Sequence, residues 1–145
     1  MNFKNINLYF LFIFIFSFKL VTAQQINFKS CDSIPSFKVK NNCIFKVYNQ
    51  SNKLLNKTYN NLLTKLDKNI RLSKLEKKKK LVSLKQFIKD SQMQWILTRD
   101  YNAKTHAGYE LTTSQAKYAF YKSKTIDGLN RVSFLKSLSD SLHIK

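Results

Sequence analysis

From about Asn49 the apolar positions recur at intervals of three and four, with Leu55, Tyr59, Leu62, Leu63, Leu66 and Ile70 on one helical face. Ser73-Lys74-Leu75-Glu76 has the form of a capping box, so a second helix is expected to start there. Its stripe is Leu81, Leu84, Ile88, Trp95 and Thr98, although one unbroken helix through Ser73 fits the periodicity nearly as well. Asn102 to Leu111 holds Gly108 and no apolar period, and reads as a loop. Thr112-Thr113-Ser114-Gln115 is a second capping box, opening a third helix through Ala116, Ala119, Phe120, Ile126, Leu129, Leu135 and Leu138. Gly128 inside it costs about 1 kcal/mol relative to alanine. It marks either a close helix contact or a break after Asp127. Residues 24–48, with Ile34-Pro35 and scattered aromatics, read as an irregular N-terminal segment.

Two glycines and one proline are too few for a turn-rich β sandwich or barrel. No internal repeat is present. The expected fold is all-α: a small antiparallel bundle of about three helices, its N-terminal segment tied down by a disulfide.

Met1 to Ala23 has the layout of a signal peptide. Lys4 lies in a short polar start, Leu8 to Phe18 is apolar except for Ser17, and Val21-Thr22-Ala23 supplies small residues before a cut at Gln24. A membrane anchor needs about 20 apolar residues, and Lys19 ends this run early. The division is therefore residues 1–23 as signal peptide and 24–145 as one exported helical domain, periplasmic or extracellular, with no membrane span in the mature chain. Loss of Lys4 and Lys19 lowers the formal charge from +18 to +16.

Export places Cys31 and Cys43, the only cysteines, in an oxidising compartment where a pair is normally bridged. The bridge would stabilise by about 3 kcal/mol in the chain-entropy model. A metal site needs more ligands than His106 and His143 add at their spacing, and a catalytic thiol needs a base that the sequence does not indicate. No cofactor is implied.

Lys and Arg together number 26 against 8 Asp and Glu. Heavy use of Asn, Lys, Ile and Phe also fits an AT-rich genome, which weakens arguments from charge. Lys77-Lys78-Lys79-Lys80 is either a solvated helical turn or a patch for anionic polymers or surfaces. Phe37, Phe45, Tyr48, Tyr118 and Tyr121 interleave with lysine, as rings that stack on bases do, but no nucleic-acid motif accompanies them. The carboxylates and histidines form no catalytic constellation, so the protein reads as a binder and not an enzyme.

Ser91 to Asp100 holds the only tryptophan and one of three arginines. Gln92, Trp95 and Arg99 are spaced three and then four apart and share a helical face. Trp95 reads as a core anchor, Arg99 as the partner of Asp100 or of a carboxylate on another helix, and Tyr59 as a packed ring with its hydroxyl bonded. The chain resembles the LprI-like lysozyme-inhibitor family of small exported helical domains. The resemblance rests on Phe28-Lys29-Ser30-Cys31 with Asn42-Cys43, on Leu55-Asn56-Lys57-Thr58-Tyr59 with Leu62 and Leu66, and on Gln92, Trp95, Arg99 and Asp100. Leu129-Asn130-Arg131 with Leu135 matches a shorter closing element. The family's usual second cysteine pair is missing: its positions fall near Ala103 and at Tyr121 to Ser123.

The resemblance implies a protein that binds and inhibits a lysozyme-type cell-wall hydrolase. A hydrolase cleft carries two carboxylates, and the segment Lys104 to Glu110, with His106, Gly108 and Tyr109 at its tip, is the candidate to engage them; its plainer reading is an exposed connector. A basic lysozyme would repel so basic a chain at long range, and an acidic one would not. The alternative is a basic envelope protein that binds anionic polymers or surfaces.

Overall fold

The computed structural model describes residues 29–142, and the segment read as a signal peptide lies outside them. Among the described residues there are four helices and no strand: α1 (Lys29–Asp32), α2 (Phe37–Leu72), α3 (Leu75–His106) and α4 (Ser114–Ser141). The three long helices run up, down and up. Asn52 of α2 meets Arg99 of α3, and Gln92 of α3 meets Arg131 of α4. Lys65 of α2 and Ser139 of α4 meet near the far end of the bundle. α2 and α4 thus lie parallel and share the largest interface, with α3 antiparallel to both. No helix among the described residues is long and apolar enough to cross a membrane.

The leucine periodicity becomes the core. Leu55, Leu62 and Leu66 of α2, Ile88 of α3, and Val132 and Leu135 of α4 form one buried cluster, with Tyr59, Leu81, Leu84, Trp95 and Leu138 packed against it. A second cluster at the N-terminal end joins Cys31, Ile44 and Tyr118. The Cys31–Cys43 disulfide closes it, with Cα atoms 5.7 Å apart. Beside the bridge, Asp32 accepts hydrogen bonds from the Tyr118 hydroxyl and from Lys122, which fastens α1 to α4. The Tyr118 hydroxyl and the Lys122 ammonium hold the Asp32 carboxyl below the usual carboxylate range.

The helix boundaries differ from the sequence expectation in four places. α2 starts at Phe37 and not near Asn49, so most of the expected irregular segment is helix. Pro35 halts the backbone just before the N-cap Ser36, and Ile44 and Ser51 continue the buried face of α2 backwards. The break near Ser73 is real, but its capping box does not form: Ser73 closes α2, and Lys74 is the N-cap of α3 without a side-chain cap bond. The second box is shifted by one residue. Thr113 is the N-cap, its hydroxyl accepting from Ala116 N–H at 3.0 Å. Finally, α3 runs on to His106, so the connection is 107–113 and the expected loop over 102–111 is half helix. Buried Ala103 gives that last stretch its inward side. Thr98 and Ile126, both expected in apolar stripes, are exposed, and the neighbouring Arg99 and Thr125 are buried in their place. α4 does not break at Gly128, which is buried at the contact with α2.

Candidate functional site

The helical spacing of Gln92, Trp95 and Arg99 turns all three toward α2 and α4. Gln92 and Arg99 are buried and Trp95 is half-buried. Two of the three arginines stack on the single tryptophan. The guanidinium carbon of Arg99 lies 5.1 Å and that of Arg131 5.6 Å from the ring centroid. Such contacts strengthen when water is excluded.

The guanidinium nitrogens hydrogen-bond both within α3 and from helix to helix. Arg99 Nε donates to Asp100 Oδ1 at 2.8 Å, and its Nη1 donates to Asn52 Oδ1 of α2 at 3.3 Å. Lys124 of α4 brings its ammonium to the same Asp100 oxygen at 3.0 Å. Burial pushes the Asp100 carboxyl up, but hydrogen bonds from Lys124 and Arg99 outweigh it and leave the group below its usual range. Arg131 donates to Gln92 Oε1 at 3.0 Å and to Ser91 Oγ at 2.9 Å. Burial draws its pKa down. Tyr59 lies close enough for burial to raise its phenol, against the pull of Arg131 and Lys85. This seam binds α2, α3 and α4 to one another, and its polar groups are largely consumed internally.

The candidate inhibitory residues lie at the C-terminal end of α3 and in the turn that follows it. Lys104 and His106 sit exposed on the last turn of α3 and not in a loop. The α-helical hydrogen-bond pattern continues to Ala107 N–H, which donates to Ala103 O, so the helix keeps them. Gly108 and Tyr109 form the turn itself, with φ of 77° and 61°. The Tyr109 ring meets the Tyr101 ring edge-on at 6.2 Å, and its phenol oxygen is 3.3 Å from the Thr105 hydroxyl.

Three features escaped the sequence reading. Lys124 is buried between the rings of Tyr48 and Phe120 at 5.3 and 5.0 Å; among so many lysines nothing in its spacing distinguishes it. The Asp32–Tyr118–Lys122 clamp joins residues far apart in sequence. Asp127 is half-buried, and burial raises its carboxyl against the opposing pull of His106 and Arg99. Of the aromatics considered for base stacking, Phe45 and Tyr48 both pack on Tyr121, at 5.1 and 5.3 Å, while Phe37 and Tyr118 each lie under the Lys40 ammonium. No group of three or more His, Cys, Asp or Glu with metal-site geometry exists among the described residues.

These features define a disulfide-tied three-helix bundle in which two arginines stack on the single tryptophan. Residues 31–139 match the family model described as Lysozyme inhibitor LprI, and the chain belongs to that family. Inhibitors, not enzymes, give the family its description. No curated protein and no solved structure matches the chain.

Proposed function

We propose that the protein is exported and that it binds and inhibits a lysozyme-type cell-wall hydrolase of acidic surface. The observation that carries this reading is the family match over residues 31–139, which takes in the disulfide and all three long helices. The end of the bundle around 104–109 is the proposed inhibitory element. It offers an exposed ammonium, an imidazole and a tyrosine on a turn that two left-handed residues hold in shape. The formal charge, +16 once residues 1–23 are removed, favours approach to an acidic enzyme and opposes approach to a basic one.

The test is hydrolysis of cell walls by a panel of acidic and basic lysozymes with the purified protein added at physiological salt. Dose-dependent inhibition of an acidic member is expected. It should weaken in a Lys104→Gln, His106→Gln, Tyr109→Asn variant, in which asparagine tolerates the positive φ. Inhibition of no panel member would end this reading.

One observation favours a second reading. A groove between α2 and α4, on the side away from α3, is lined by Lys53, Lys57 and Lys136 with Gln50, Thr58 and Asn61. It would suit an anionic polymer, and that binding would fall steeply with ionic strength.

A further inference from the structure

α3 carries apolar side chains on both faces. Ile88, Trp95 and Ala103 face the core. Met93, Leu97 and Tyr101 recur every four residues on the opposite side, with Ile96 beside them. Tyr109 extends this outer stripe into the turn by packing its ring on Tyr101. Met93, Leu97, Tyr101 and Tyr109 are 58–63 % exposed and Ile96 is 39 % exposed. No fold requirement explains an apolar stripe on the solvent side of a helix whose other side already fills the core.

We propose that this outer stripe of α3, continuous with the 107–113 turn, is the surface on which the inhibitor docks against its hydrolase, and that the partner meets it with an apolar patch rimmed by carboxylates. The inference rests on the reading of the protein as a hydrolase inhibitor and names the face that reading leaves open.

Size and charge choose the occupant. Five side chains of this kind present on the order of 500 Å². That is an adequate apolar centre for an interface of about 800 Å² per partner, whose rim is polar. The rim here includes Lys89 and Lys104, exposed at either end and in no ion pair among the described residues. A second copy would bring another molecule of formal charge +16, after loss of residues 1–23, against this one. An acidic partner gains from the same charge.

The stripe can be altered without touching the core. A Met93→Gln, Leu97→Gln, Tyr101→Gln variant replaces exposed residues with good helix formers, and Leu97→Glu alone serves if the triple variant does not fold. Each is compared with the wild-type protein for helix content, sedimentation, and inhibition of the lysozyme panel. The expected result is an unchanged fold with the inhibition midpoint raised tenfold or more, as loss of a central apolar cluster produces. Wild-type inhibition that the variants retain in full would overturn this surface and leave the inhibitor reading standing. Inhibition of no panel member by the wild type would overturn both. A wild-type dimer at micromolar concentration that the variants abolish would assign the stripe to a second copy and overturn the choice of partner.

Discussion

The guanidinium of Arg131, on α4, stacks 5.6 Å from the centroid of the Trp95 ring on α3 and in the same pose donates to Gln92 Oε1 and Ser91 Oγ. One side chain thus ties two helices by a ring face and two hydrogen bonds. Arg131→Met keeps apolar bulk against Trp95 but leaves the buried Gln92 carbonyl without this donor. An unmade bond of that kind costs about 1–3 kcal/mol. The expected loss is about 2 kcal/mol in urea denaturation, with the slope unchanged. Arg131→Lys should recover only part, because an ammonium lacks the planar fork that reaches both acceptors.

The N-terminal clamp gives the stability a dependence on acid. Asp32 has a depressed carboxyl, held down by the Tyr118 hydroxyl and Lys122. A group lowered on folding stabilises the folded state above its unfolded pKa, and that contribution is lost as the pH falls through the folded value. Asp32→Asn is therefore expected to lower the melting temperature at pH 7. The difference from wild type should shrink below about pH 4, where the unfolded carboxyl takes up its proton. A constant difference across the acid range would mean that the clamp works by packing alone.

The disulfide and the clamp act on the same short element. Cys31 and Cys43 are 12 residues apart, and Cys31 is fully buried beside Ile44. The doubly substituted Cys31→Ser, Cys43→Ser protein should lose about 3 kcal/mol by the chain-entropy argument. Hydrogen exchange would show where the loss falls. Amides of the first turns of α2 should exchange faster, and those around Leu62 and Leu66 should keep their order of protection, because their cluster does not include the bridge.

Much of this fold was legible in the sequence because its core is made of leucines at regular helical spacing: Leu55, Leu62, Leu66 and Leu135 all lie where their periodicity puts them. The start of α2 was not legible. Exposed Phe37, Val39 and Phe45 blur the period there, and Ile44 alone among the apolar residues of that stretch is fully buried. The end of α3 was hidden for a related reason, since its inward side is a single small residue, Ala103. The shared face of Gln92, Trp95 and Arg99 could be read from spacing. Their partners Asn52, Lys124 and Arg131 could not be paired with them, because a contact between helices leaves no trace in the spacing of either one. The outer stripe of α3 is not distinguishable by spacing alone, because Met93 and Leu97 alternate with Trp95 and Arg99 and only the packing shows which of them face the core.

Asp127 predicts the opposite pH behaviour from Asp32. Burial raises its carboxyl, and His106 and Arg99 offset that only in part. A group raised on folding stabilises the folded state while it is protonated, and that contribution is lost as the pH rises. At neutral pH the ionised, half-buried carboxylate is thus a burden. Asp127→Asn mimics the protonated form, so it should raise the melting temperature at pH 7. The gain should vanish as the pH falls to about 4 and the native carboxyl takes up its proton. If the variant is less stable than wild type at pH 7, the attraction of His106 and Arg99 outweighs burial and the sign assigned to this group is wrong.

Gly128 gives the sharpest structural test, because two plausible arguments about it point in opposite directions. It lies buried in the middle of α4 at the contact with α2. One argument holds that only glycine lets the helices approach. The other holds that glycine in a helix interior wastes backbone entropy, about 1 kcal/mol relative to alanine. The geometry decides between them. A β-carbon on Gly128 would stand 3.7 Å from Ser51 Oγ, an ordinary contact with nothing nearer, and the residue has no left-handed φ to protect. Gly128→Ala is therefore expected to stabilise the protein by up to about 1 kcal/mol, read as a raised melting temperature. Gly128→Leu must displace α2 and should lower it. If alanine also lowers the melting temperature, the α2–α4 approach is tighter than this contact allows, and Gly128 is required for it.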